Sequence, residues 1–109
     1  MNAIVKDRVQ PHNERAAAVW SSGGRDYNAI SRGISDSIEH AVLRLNPQPG
    51  ERILDLSTGT GWTSRVVAKR GAQVTGVDIA ADLLDAARAM AAAEQLPIEY
   101  HVGLSLIHI

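Results

Sequence analysis

RILDLSTGTG, residues 52–61, changes character halfway along its length. Arg52, Ile53, Leu54, Asp55 and Leu56 form a short, mostly apolar run, the pattern of a parallel strand covered on both faces. Ser57, Thr58, Gly59, Thr60 and Gly61 are then all small, which predicts a tight turn. Trp62, Val66 and Val67 follow at helical spacing as far as Lys69 and Arg70, cations that suit the negative end of a helix, and Gly71 supplies the stop. Gln73, Val74, Thr75, Gly76 and Val77 read as a second strand ending at Asp78. Two strands joined through a helix imply a right-handed crossover and a parallel sheet.

The same alternation continues downstream. Leu83, Leu84, Ala87, Met90 and Ala91 share one helical face, Pro97 resets the chain, and Ile98, Glu99, Tyr100, His101 and Val102 read as a third strand. Upstream, Glu14, Arg15, Ala16, Ala17, Ala18 and Val19 favour a short helix, which the cluster Ser21, Ser22, Gly23, Gly24 breaks. Ile30, Ile34, Ile38, Val42 and Leu45 recur at steps of three and four, predicting one amphipathic helix from Tyr27 to Leu45. Asn46, Pro47, Gln48, Pro49 and Gly50 end it. The expected fold class is therefore α/β, a Rossmann-like parallel sheet with helices on both faces, truncated after its third strand. Residues 1–50 form an N-terminal helical cap and residues 51–103 a binding half-domain.

Bulk properties narrow the function. A chain of 109 residues holds one modest core. Its formal net charge of -1 gives no footprint for nucleic acid or an anionic membrane. The absence of cysteine removes disulfides, thiolate metal sites and thiol nucleophiles, and fits a reducing, cytoplasmic setting. Lys6, Asp7 and Arg8 stand where a signal peptide needs apolar residues, and no run approaches the roughly 20 apolar residues of a membrane span. His12, His40, His101 and His108 share no metal-ligand spacing, so no metal site is expected.

The chemistry lies at the glycine turn. Residues without bulk at Gly59 and Gly61 let a nucleoside-bearing cofactor approach the backbone at the strand's carboxyl end, and Asp78 stands where a carboxylate accepts bonds from both ribose hydroxyls. Plainer readings run alongside these. Asp55 caps the turn or pairs with Arg52, Asp78 is a helix-start acid, Trp62 and Tyr100 pack in the core, and Tyr27 packs in the cap.

The runs at residues 53–61 and 74–79 resemble the first and second motifs of the class I S-adenosylmethionine-dependent methyltransferases. Asp55, Gly59 and Gly61 fall on the first motif's acid and alternating glycines, while Ser57 stands where that family most often has its first glycine. The resemblance implies that Asp55 and the backbone around Ser57, Thr58 and Gly59 face the methionine part of S-adenosylmethionine, Asp78 the ribose and Ile79 the adenine. It covers residues 51–103 and implies methyl transfer to an unidentified acceptor, expected to be a small molecule of the kind methylated in ubiquinone biosynthesis. No catalytic residue can be named, because in that family such residues lie further along the chain or in the cap, where Tyr27 is a candidate contact. The alternatives are an NAD(P)-binding oxidoreductase fragment and a non-catalytic remnant. Ser64 argues against the former, because it occupies the third position of a Gly-x-Gly-x-x-Gly count.

The final residues, Leu104, Ser105, Leu106, Ile107, His108 and Ile109, depart from the family pattern, which places an acid after Gly103 to meet adenine. They match the translation of a transposase adapter used to prepare sequencing libraries, so residues 104–109 are expected to be a non-native tail and the chain an inactive piece of a longer enzyme.

Overall fold

The computed structural model describes residues 9–103, so the expectations for residues 1–8 and for the adapter-like tail 104–109 lie outside the described residues. A 3-10 turn at Pro11–Asn13 leads into helix α1, Glu14–Ser21, and a second at Gly24–Tyr27 leads into α2, Asn28–Gly33. Helix α3, Ser35–Leu45, precedes the alternating unit: β1 at Arg52–Leu56, α4 at Trp62–Ala68, β2 at Gln73–Asp78, α5 at Ala81–Ala93 and β3 at Glu99–Val102. Strands β1 and β2 therefore fall where the sequence places them.

The three strands form one parallel sheet in the order β1-β2-β3, with Ile53 opposite Val74 and Gly76 opposite Tyr100. Pleating puts Ile53, Val74 and Tyr100 on one face, and both hydrophobic clusters pack there. Val42 of α3 and Val67 of α4 cluster with Val74, while Leu84, Ala87 and Ala91 of α5 cluster with Tyr100, and Ile98 packs against both groups. Each fully buried aliphatic side chain such as Leu84 contributes about 1.5–3 kcal/mol relative to exposure.

Helices on both faces were expected, but among the described residues the packing helices lie on one. Strands added successively in one direction by right-handed crossovers send every connection to the same side. The opposite face shows the consequence: Leu54 and Leu56 are each 43% exposed, so β1 is not the doubly covered strand its composition suggests. Among the described residues β1 also pairs only with β2, leaving one edge open.

The long amphipathic helix predicted upstream is two helices. Gly33, a poor helix former, ends α2, and Ile34 leaves helical geometry at φ -115° and ψ 17° before α3 restarts. The apolar stripe is correspondingly half used, with Val42 buried, Ile38 packed beside it, and Ile30, Ile34 and Leu45 exposed. Asn46 closes α3 in the left-handed conformation, its N–H bonded to the Val42 carbonyl at 2.8 Å.

An open strand edge beside exposed Leu54 and Leu56 is a template for intermolecular pairing. The 109-residue chain alone is expected to self-associate, and Leu54→Lys with Leu56→Lys to raise its monomer fraction in light-scattering chromatography. A sharp, cooperative thermal transition of a monomeric unsubstituted chain would overturn this.

Candidate functional site

The carboxyl ends of β1 and β2 lie side by side, with Leu56 opposite Val77, and the turn between β1 and α4 rises from them. Two carboxylates shape it. Asp55, at the end of β1, accepts hydrogen bonds at Oδ2 from Thr58 Oγ1 at 2.8 Å and Ser64 Oγ at 2.7 Å, and the two hydroxyl oxygens are 2.9 Å apart. Asp78 accepts at Oδ2 from the Gly59 N–H at 2.8 Å and at Oδ1 from the Ala80 N–H at 2.9 Å. One acid thus folds the turn onto its own helix, and the other fastens it to the neighbouring strand.

The backbone of the turn requires left-handed residues. Gly59 has φ 59° and Gly61 φ 80°. A Cβ on Gly59 would meet nothing within 4 Å, so conformation rather than crowding demands glycine there. Gly61 is constrained twice, because a Cβ would also collide with the Tyr100 hydroxyl and sit 3.2 Å from Ala87 Cβ. Ser57, at φ 58°, adopts the same conformation without glycine's freedom, which accounts physically for the glycine usual at this position in the resembling family.

A cavity of about 390 Å³ opens beside the turn, bounded by Ser57, Gly59, Asp78, Ile79 and Gly103 on the sheet side and by Trp20 and Tyr27 on the cap side. Its size suits one nucleoside-sized ligand. Of the sequence candidates, Ser57, Gly59, Asp78 and Ile79 meet at this cavity; Asp55, Thr58 and Gly61 do not line it. The side chains of Asp55 and Thr58 are committed to the turn, as the capping reading of Asp55 held, and Gly61 starts α4 beneath it. Tyr27 does reach the wall, where its ring meets Trp20 edge-on at 6.1 Å between centroids. Sequence reasoning missed Trp20, whose short helix carries no motif, and the structural use of Ser64.

Tyr100 underlies the turn. It is 4% exposed, and its phenol oxygen is buried without a well-formed hydrogen bond. Burial pushes its pKa above the ordinary 10.0, with Ser64 and Arg65 nearby pulling it down.

These features define a class: a Rossmann-like unit with a glycine turn and a buried acid beside a cavity at the carboxyl edge of a parallel sheet. Residues 53–105 match the family described as a methyltransferase domain. The malonyl-acyl-carrier-protein O-methyltransferase of Serratia marcescens is 33% identical over 95 residues, covering 80% of this chain and 37% of that protein. A 23S rRNA uracil-C5 methyltransferase of Shewanella sp. strain MR-4 is 51% identical over 70 residues, 62% of this chain and 16% of that protein. Phosphoethanolamine N-methyltransferase 2 of Haemonchus contortus, solved with S-adenosyl-L-methionine, superposes with a TM-score of 0.56 at 30% identity, over 62% of this chain and 16% of that one. The chain spans less than half the length of these relatives.

Ser57→Gly relieves a left-handed serine and is expected to raise stability by about 0.5–1 kcal/mol in urea denaturation, while Gly59→Ala lowers it by about 1 kcal/mol or more. The raised pKa of Tyr100 fixes a second expectation. The unfolded chain gives up this proton near pH 10 while the folded chain holds it, so the stability due to Tyr100 is intact below about pH 10 and falls as pH rises further. Urea midpoints measured from about pH 9 to 11 should decline less steeply in Tyr100→Phe than in the unsubstituted chain.

Proposed function

We propose that the cavity binds S-adenosylmethionine and that the chain is the cofactor-binding portion of a methyltransferase. The observation that carries this reading is Asp78: 8% exposed, at the carboxyl end of β2, and lining the cavity with its carboxylate held by two backbone N–H groups. Each oxygen accepts one of those bonds and keeps a further lone-pair direction for a ribose hydroxyl. Ser57 and the Gly59 backbone form the wall for the amino-acid part, and Ile79 offers an apolar surface to adenine. The cofactor, when bound, supplies an electrophilic methyl group on a sulfonium centre. The residues around the cavity orient and partly desolvate the ligand, which is how positioning lowers the barrier of an in-line displacement. Catalytic residues for the acceptor are not assigned to this chain.

The methyl acceptor is read as a small molecule. The Serratia relative, named for malonyl on an acyl-carrier protein, supports this, and a formal net charge of -1 does not favour RNA, the substrate named for the Shewanella relative. A chain without cysteine, in whose described residues no helix is long and apolar enough to cross a membrane, supports a cytoplasmic setting. The division into a cap over residues 1–50 and a binding unit over residues 51–103 is part of the same reading.

Calorimetric titration separates the candidates. In the Leu54→Lys, Leu56→Lys background, whose substituted residues do not line the cavity, S-adenosylhomocysteine is expected to bind and NAD not. Asp78→Ala should weaken binding at least about tenfold, the effect of losing hydrogen bonds to a charged acceptor. Preference for NAD, or binding indifferent to Asp78, would reject the assignment.

A further inference from the structure

Helices α1 and α2 contribute no buried residue to the core, and Trp20, on the cavity wall, is itself 50% exposed. Hydrophobic burial therefore does little to set the position of these two helices, the first of which reaches the cavity. Directional polar contacts must do more of it, and a group of them converges where α2 begins. Asn28 follows Tyr27 in the chain, and its Oδ1 accepts two hydrogen bonds, from Thr60 Oγ1 at 2.9 Å and from Arg65 Nη2 at 3.2 Å. Thr60 stands between the two glycines of the turn and is 1% exposed. Arg65 Nη1 donates to the Thr60 carbonyl at 2.6 Å, and Nε faces Glu94 Oε2 at 3.2 Å at the end of α5, where Lys69 Nζ also meets Glu94 at 2.6 Å.

Every nitrogen of the Arg65 guanidinium is thus engaged, on three different elements, by a side chain only 7% exposed. A planar fork with fixed donor directions can make this junction, whereas a lysine ammonium, a point charge on a flexible stem, cannot. The Trp62 ring, 5.7 Å from the guanidinium carbon, covers one side of it. The two walls of the cavity, Tyr27 on the cap and Gly59 on the turn, are each one residue from this knot.

We propose that Asn28 and Arg65 are a positioning pair that holds the cap over the cavity, so that ligand affinity at the glycine turn depends on the acceptor atom of Asn28. The proposal rests on the cofactor reading of that cavity. Asn28 serves here through its oxygen, which receives both bonds. Aspartate preserves that oxygen and adds a charge opposite Arg65; leucine keeps the approximate volume and removes the acceptor.

The test compares the unsubstituted chain with Asn28→Asp and Asn28→Leu, all in the Leu54→Lys, Leu56→Lys background and at a temperature where circular dichroism shows each folded. S-adenosylhomocysteine affinity is expected to fall about five- to twentyfold in Asn28→Leu and to stay within about twofold in Asn28→Asp. Hydrogen exchange across residues 14–27 is expected to be slowed by ligand in the unsubstituted and Asp forms and to be faster in the Leu form, with or without ligand. Equal affinity in the Leu form, or an equal loss in the Asp form, overturns the pair. If the unsubstituted chain binds no S-adenosylhomocysteine, the cofactor reading fails by itself. Ligand-free exchange then decides the pair, and an unchanged rate in Asn28→Leu overturns it.

Discussion

The bond from the Gly59 N–H to the Asp78 carboxylate spans 19 residues of sequence and joins the turn after β1 to the end of β2. Its geometry depends on several other features. Asp55 must fold the turn back through Thr58 and Ser64, Gly59 and Gly61 must take left-handed backbone, and Tyr100 must fill the space beneath them. Small residues above and a large aromatic below are therefore parts of one packing solution. A ring at Tyr100 leaves no room for a side chain at Gly61 or Gly76, where an added Cβ would stand 2.7 Å from ring carbons.

That arrangement also explains how a short unit can offer a defined cavity. The turn is rigid because its polar groups are satisfied internally, and the same bonds hold Asp78 at the cavity with lone pairs left over. The cap is the weaker partner. Its first two helices, α1 and α2, pack against α5 and α4 without buried residues of their own, so their placement draws on the Arg65 and Asn28 contacts and on the Trp20–Tyr27 ring pair. The site thus has a firm floor and a lightly held roof.

Much of this was legible in the chain before any coordinates. The strands at Arg52–Leu56 and Gln73–Asp78 announced themselves by apolar runs ending in acids, and the glycine turn by composition. Four of the proposed site residues, Ser57, Gly59, Asp78 and Ile79, do meet at the cavity. Asp55 and Thr58 stand next to it in sequence but do not line it, because the hydroxyls at 58 and 64 bond the Asp55 carboxylate within the turn. Periodicity alone placed Ile30, Ile34 and Leu45 on a buried face, whereas the break at Gly33 and Ile34 separates Ile30 from the α3 residues Ile38 and Val42 that reach the core, and Leu45 at the end of α3 is exposed.

The sequence by itself determined the order of strand, turn, helix and strand, and the positions where only small or left-handed residues serve, since these follow from local sterics and period. The tertiary structure decided which side chains line the cavity, that the described helices share one face of the sheet, and that Arg65 joins cap to turn. Those outcomes depend on contacts between residues far apart in the chain, such as Asn28 with Arg65 and Gly59 with Asp78. No local pattern of polarity encodes which distant partner will satisfy a buried donor.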